Sequence, residues 1–337
     1  MTPNSTVCVI IAAKNAAATI ARAVRSALAE QAVTEVVVVD DGSTDTTGAE
    51  VLSADDGTGR LKLIRFDRNR GPAAARNHAI EASTAPLIAI LDADDFFLPG
   101  RFTHILAEDQ WDFIADNIVF VKEESVGQIR NGVQKFQRQA RLLDLEAFIT
   151  GNISQRGKQR GEIGFLKPVM RREFLDRHHL RYKEDLRLGE DYDLYARALV
   201  AGARYKVIHS CGYGAVVRHD SLSGKHRTDD LKRLYEADQA ILASHALTNA
   251  QRRLLERHEK HVRDRYELRH FLDLKNQRGP LSALAYAVKN PLAVPAIVGG
   301  IAADKTAALK AKPAPKHTSA PATLRYLLPA SPETERS

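Results

Sequence analysis

Short apolar runs alternate with amphipathic stretches through the first hundred or so residues. Residues 7–13 (Val-Cys-Val-Ile-Ile-Ala-Ala) are continuously apolar and rich in β-branched side chains, the pattern of a strand buried on both faces of a parallel sheet. Residues 19–30 carry Ile20, Ala23, Val24, Ala27 and Leu28 at helical spacing. The two patterns then repeat. Strands are predicted at 36–39, 61–66 and 87–91, and helices at 46–54 and 73–82, the latter after the break at Gly71-Pro72. Strands and helices in strict alternation with short connections predict an α/β fold with a doubly wound, mostly parallel sheet.

Beyond residue 110 the pattern loosens. Residues 111–121 predict one or two strands and 142–149 a short helix, with Arg- and Lys-containing polar stretches between. Order returns at 165–170. A helix is predicted from Arg172, another after Gly189-Glu190-Asp191 as far as Val200, and strands at 205–208 and 215–219. The last third differs in character. Leu231, Leu234, Tyr235, Ile241 and Leu242 form a helical stripe, and Thr248 is placed to N-cap a charged helix reaching about Lys275. Residues 281–303 are apolar but broken by Lys289, Pro291 and Pro295, too interrupted for a transmembrane helix. The expected organisation is a domain at 1–224, a helical extension at 225–303 and a disordered tail, rich in Ala, Pro, Lys and Ser, at 304–337.

Composition narrows this picture. With 337 residues, 44% of them hydrophobic, the chain can bury a full core, and its net charge of +7 favours an anionic partner. The two cysteines, Cys8 and Cys211, both sit in apolar surroundings and read as buried thiols of a reducing compartment. No basic region precedes an apolar stretch at the N-terminus, so no signal peptide is expected and the protein is placed in the cytoplasm.

Three polar loops, Lys14-Asn15, Asp40 to Ser43 and Asp92 to Asp95, each follow a predicted strand and should open on one edge of the sheet, where ligands of open α/β sheets bind. Leu91-Asp92-Ala93-Asp94-Asp95 puts three carboxylates at a strand end. Such charges repel unless a cation neutralises them or a pKa rises, and hard oxygen ligands suit Mg²⁺ or Mn²⁺. A solvated acidic turn explains the same residues, and on them alone both readings stand. No G-x-G-x-x-G follows the first strand and no G-x-x-x-x-G-K-[ST] occurs, which argues against nicotinamide dinucleotide and P-loop phosphate binding.

Five motifs in order carry a resemblance. They are Val9 to Asn15, Val39-Asp40-Asp41-Gly42-Ser43-Thr44-Asp45, Gly71 through Ala75-Arg76-Asn77, Leu91 to Asp95, and Gly189-Glu190-Asp191. Over roughly two thirds of its length the chain resembles the family 2 glycosyltransferases, inverting enzymes of the nucleotide-diphospho-sugar (GT-A) fold. It is also similar to bacterial glucosyltransferases that assemble exopolysaccharide of the succinoglycan type. It departs from the family at Ala12-Ala13-Lys14, where a proline and an aromatic residue are usual.

The resemblance implies transfer of a sugar, glucose from UDP-glucose, onto an oligosaccharide carried by a polyprenyl diphosphate at the cytoplasmic face of the inner membrane. It also implies a Mn²⁺ or Mg²⁺ cofactor, with Asp94 as the principal ligand and His219 completing the shell. Asp92 is expected near the ribose, and Asp95 should orient the metal or the donor sugar. Asp41 matches the uracil-binding acid, Ala12, Asn15 and Arg76 are expected along the nucleotide-sugar, and Asp191 is the expected general base. Each has a plainer reading: Asn15 as a turn residue, Arg76 as an exposed helix residue, Asp40 to Ser43 as a cap, and Asp191 as an acid that stabilises a helix start. The remaining histidines, His258 and His261 among them, read as surface residues.

The basic bias of the C-terminal helices and the apolar 281–303 suggest peripheral contact with a membrane, while interleaved acids suit a salt-bridged helix or a dimer contact equally well. Two other functions fit parts of the sequence. A nucleotidyltransferase also uses paired aspartates and a metal, but normally with a glycine-rich N-terminal loop that is missing here. A nucleic-acid binder would match the charge, but 6% aromatic residues and no zinc spacing argue against it.

Overall fold

A strand rich in Val and Ile on a sheet covered on both sides has no face to give to water, and the first strand obeys this strictly. In a computed structural model of the chain, β1 (Val7–Ala13) has all but one of its seven side chains buried. The structure describes residues 5–131, 133, 140–153, 163–217, 227–244, 247–310 and 324–328. They form two compact units, a larger one of the described residues up to 217 with 324–328, and a smaller one between 227 and 310.

The larger unit begins as its sequence pattern predicts. After β1 come α1 (Ile20–Leu28), β2 (Val33–Asp40), α2 (Thr47–Ser53), β3 (Leu61–Arg65), α3 (Pro72–Glu81) and β4 (Leu87–Ile90). The five apolar positions of α1 are all buried, so its apolar stripe is the face laid on the sheet. The strands run β3-β2-β1-β4, all parallel. The order in which successive strands are added reverses between β1 and β4, the crevice where doubly wound sheets bind ligands.

Past β4 the sheet is mixed. The chain continues through β5 (Phe96–Phe97), α4 (Arg101–Ile105), β6 (Phe113–Lys122), β7 (Ala140–Leu142), α5 (Leu145–Asn152), β8 (Val169–Arg171), α6 (Arg172–Arg177), α7 (Glu190–Val200) and β9 (Tyr205–Val217). β8 slots antiparallel between β4 and β6, and β9 lies parallel to β6. Two expectations change here. The strands expected at 205–208 and 215–219 are, as far as Val217, one strand, β9, because the residues between them also pair with β6 through an irregularity at Asn117, while residues 218–219 lie outside the described residues. The helix expected at 142–149 starts at Leu145, because Asp144 caps it, accepting from the Ala147 N–H at 2.8 Å, and residues 140–142 pair with β9 instead.

Where β9 crosses α4, Arg101 is fully buried against Asp116, with Nη2 2.9 Å from Oδ1. Gly212 makes room for the pair: a Cβ there would meet Asp116 Oδ2 at 2.5 Å and the Arg101 side chain closer still. Of the two cysteines, Cys8 is buried, and burial pushes its thiol up to about 12. Cys211 is half-buried rather than buried, and both are free thiols.

The tail differs from its expected disorder at two places. Residues 304–310 continue a helix, α11 (Val294–Lys310), and residues 325–326 form β10 (Arg325–Tyr326), antiparallel to β6. Asn117 fastens this strand, donating from Nδ2 to the Leu328 carbonyl at 3.0 Å and accepting from the Leu328 N–H at 2.8 Å. Leu324, Leu327 and Leu328 supply the apolar contacts, and Leu328 is buried. Residues 311–323 and 329–337 lie outside the described residues.

The smaller unit holds α8 (Thr228–Ser244), α9 (Asn249–Arg278), α10 (Pro280–Lys289) and α11. Thr248 caps α9 as expected, in a reciprocal capping box with Gln251. Gly279, at φ +84°, ends α9 and Pro280 opens α10. His258 is not a surface residue. It is buried between α8 and α9, with Nδ1 2.7 Å from Asp238 Oδ2.

Candidate active site

Parallel pairing brings the ends of β1, β2 and β4 together, with Ala13 opposite Asp40 and Ile10 opposite Ile90. The three polar loops therefore share one edge. Ala12 is half-buried near the end of β1, opposite Val39. Asn15 has φ +48°, a conformation Asn tolerates better than most side chains. Its N–H donates to Ser43 Oγ and its Oδ1 accepts from the Thr44 N–H, both at 2.9 Å, so it ties the first loop to the second.

Asp40 and Asp41 divide their work. Asp40 is fully buried and accepts from the Ser43 N–H at 2.9 Å, holding the turn. Asp41 accepts the N–H groups of Arg70 and Gly71, at 2.6 and 2.8 Å, and so fixes the segment that enters α3. Each of its oxygens keeps a second lone pair. Gly42, at φ +68°, passes so near the backbone of Arg68 that a Cβ would lie 2.7 Å from its carbonyl carbon.

The acidic loop is not a cage of three carboxylates. Asp92 Oδ1 accepts from Arg76 Nη2 and its Oδ2 from Lys167 Nζ, both at 2.9 Å. Burial alone would push the Asp92 carboxyl up, but the two cations outweigh it and hold it well below the usual range. Asp95 turns into the protein, accepting from Tyr213 Oη and the Val216 N–H at 2.8 Å each. Burial first, then the nearby Asp92 and Asp94, push its carboxyl up to about 8. Tyr213 Oη also accepts from the Asp92 N–H at 3.1 Å, so one phenol fastens both ends of the loop to β9.

Asp94 is half-buried, and its carbonyl accepts from Arg22 Nη2 at 2.9 Å. Among the described residues no three Asp, Glu, His or Cys side chains are grouped to chelate a metal. Mg²⁺ commonly takes only one or two protein carboxylates and fills its shell with phosphate oxygens and water, so a loop without a three-carboxylate cage is compatible with such an ion. His219 lies outside the described residues.

Arg76 is not an exposed helix residue. It is buried on α3, its Nη1 2.7 Å from Glu190 Oε1 and 3.5 Å from Asp191 Oδ1. Asp191 stands in the first turn of α7, after Gly189 at φ +86°. Its Oδ2 accepts from Lys167 Nζ at 3.0 Å, and its buried Oδ1 has no hydrogen-bond partner among the described residues. Lys167 thus bridges Asp92 and Asp191. Burial would lower its pKa, but those two carboxylates hold the ammonium well above its ordinary value.

Sequence reasoning missed Lys167 as a site residue. The antiparallel register, with Ala89 opposite Val169, runs the residues before β8 along the end of β4 and delivers Lys167 to Asp92. Its carbonyl is held by Arg101 Nη2 at 2.6 Å. The available signal was a lone charge inside the apolar run 165–170. Tyr213 left no comparable mark.

Comparison with known proteins agrees with this architecture. A sequence model described as "Glycosyl transferase family 2" matches residues 8–170. The succinoglycan biosynthesis protein ExoU of Rhizobium meliloti (strain 1021) is 62% identical over 96% of this chain and 95% of its own. An Escherichia coli protein, UDP-Glc:alpha-D-GlcNAc-diphosphoundecaprenol beta-1,3-glucosyltransferase WfgD, is 30% identical over 36% of this chain and 48% of its own. In fold, the chain is similar to S. aureus TarS 1-349 in complex with UDP-GlcNAc, with a TM-score of 0.58 at 20% identity over 81% of this chain and 74% of that one. A GT-A-like sheet, ordered family motifs and near full-length similarity to ExoU lead to one assignment: the chain is a glycosyltransferase and belongs to glycosyl transferase family 2.

Proposed function

We propose that the protein transfers glucose from UDP-glucose, with inversion, to a hydroxyl of a polyprenyl-diphosphate-linked oligosaccharide in the assembly of a succinoglycan-like exopolysaccharide. The carrying observation is the buried bridge Asp92–Lys167–Asp191, which joins the expected donor acid to the expected base across 2.9 and 3.0 Å contacts. Donor and acceptor chemistry must meet within a few ångströms in a single displacement, and this bridge couples the residues that would serve each. The near full-length similarity to ExoU supports the pathway, and the name of WfgD supports the donor and the lipid carrier.

In this reading Asp41 accepts the uracil N3–H with a spare lone pair, and Ala12 and Asn15 line the nucleotide. Asp191 takes the proton of the acceptor hydroxyl as its oxygen attacks the anomeric carbon. The bond to the diphosphate breaks, and UDP leaves with the electron pair. Asp94, with His219 as the family resemblance implies, would hold Mn²⁺ or Mg²⁺, which would supply a Lewis acid for the charge on the departing diphosphate. Arg76 and Lys167 keep Asp92 ionised beside it.

The test is transfer and slow hydrolysis assayed over a panel of UDP-sugars with Mn²⁺, Mg²⁺ or chelator. UDP-glucose should be turned over most efficiently and chelation should abolish turnover. Asp191→Asn should lower kcat on the order of 10²-fold or more with donor affinity retained. Equal loss of donor binding would remove Asp191 from the role of base.

A further inference from the structure

Helices at the surface of a globular unit turn apolar residues inward and polar ones outward, and a helix apolar all round needs a second cover. α10 up to Val288 and α11 up to Ala303 are of the second kind. Tyr286 of α10 is turned to α9, its hydroxyl 2.5 Å from Glu267 and its ring centroid 4.8 Å from that of His270. In α11, Ile297 is buried and Gly300 lies so close to Leu268 of α9 that a Cβ would collide with it. The opposite faces are also apolar. Leu281, Leu284, Ala285 and Val288 are exposed at helical spacing on α10, and Val294, Pro295, Val298 and Ala302 are exposed on α11. Leu292, at the corner between the helices, is 93% exposed.

The patch is concentrated. Of nine large apolar side chains exposed among the described residues, six lie at 281–298, so this is not the usual scatter of surface leucines. Its charge has one sign. Residues 274–303 contain Lys275, Arg278 and Lys289, all exposed, and no acid. The two helical pieces bend by 104° between Lys289 and Pro291, and α10 is only ten residues long. A span needs about 20 apolar residues, so neither helix alone is long enough to cross a bilayer.

We propose that the outer faces of α10 and α11 lie in the headgroup region of an anionic bilayer. Leu281, Leu284, Val288, Leu292 and Val298 enter the acyl boundary, and Lys275, Arg278 and Lys289 meet lipid phosphates. A bent apolar patch with Lys275, Arg278 and Lys289 at its rim, and Asp273 and Asp304 just beyond it, matches that surface, since apolar insertion and attraction to anionic lipid act together. The proposal goes beyond the transfer reading and uses none of its residues. A lipid-linked acceptor would give such docking its purpose.

The experiment is co-sedimentation of the full chain at low salt with vesicles of phosphatidylglycerol and phosphatidylcholine in equal parts, or of phosphatidylcholine alone. The protein should pellet with the anionic vesicles and far less with the neutral ones. L281D/L284D/V288D should weaken partitioning by about 10-fold or more, because burying each side chain favours the membrane. K275Q/R278Q/K289Q, which keeps the apolar face, should lose the preference for anionic lipid. Melting curves of both variants should match the parent, since every replaced side chain is exposed. Sedimentation velocity without lipid reads the competing occupant. A parent chain that ignores both vesicles, or forms a dimer that L281D/L284D/V288D dissolves, overturns the proposal. Lipid binding is read without catalysis, so failure here leaves the transferase reading intact, and loss of transfer leaves this one intact.

Discussion

Lys167 is surrounded by opposite charge to an extent few surface lysines meet. Three carboxylates, Asp92, Glu190 and Asp191, share two buried cations, Arg76 and Lys167. Removing Lys167 leaves Asp92 and Asp191 to share Arg76 alone, and breaking a buried ion pair costs about 3–5 kcal/mol. Lys167→Met, close in length but uncharged, should therefore lower thermal stability by that order and reduce kcat more than it changes KM. Lys167→Arg should recover most of the stability. A melting curve beside steady-state kinetics checks both, and a Met variant as active and as stable as the parent would remove the bridge from the mechanism. At this scale the acids were legible, because Asp40 to Ser43, Asp92 to Asp95 and Glu190-Asp191 form local motifs at element ends. Their orientation was not. Whether Asp95 faces the cleft or Tyr213 depends on a strand more than a hundred residues away.

Among the elements, the parallel half could be read almost strand by strand, since a strand covered on both faces must be apolar throughout. The mixed half could not. β8 is three residues long and β5 two, too short for any period to show, and they are held by neighbours that contribute most of the pairing. β9 carries its own constraint at the Arg101–Asp116 pair. Gly212→Ala should destabilise the protein by about 1–3 kcal/mol, because a methyl group there must displace a buried ion pair that also holds the Lys167 carbonyl. Gly202→Ala makes a contrasting control: no atom crowds a Cβ there, so strain at φ +88° is its whole cost. Chemical denaturation of both variants reads the difference. Reduced turnover in Gly212→Ala at a temperature where it remains folded would show that the crowding reaches Lys167.

For the whole molecule, the return of residues 324–328 to β6 was hidden in a stretch whose composition spoke for disorder. Asn117 sits buried in the middle of β6 and both ends of its amide bond Leu328. A chain ending at residue 323 takes from Asn117 Nδ2 its Leu328 acceptor, at a cost of about 1–3 kcal/mol, while Oδ1 keeps the Ile118 N–H at 2.9 Å. Its melting temperature should fall by several degrees, and added peptide covering 324–337 should restore part of the loss. An unchanged melting curve would show that the strand contributes nothing to the larger unit. The arrangement also bears on synthesis. The last strand of the sheet is encoded after the whole helical unit, so on the ribosome β6 waits for its neighbour while about two hundred further residues are made. At roughly 5–20 residues per second that is ten seconds or more with one edge of the sheet open.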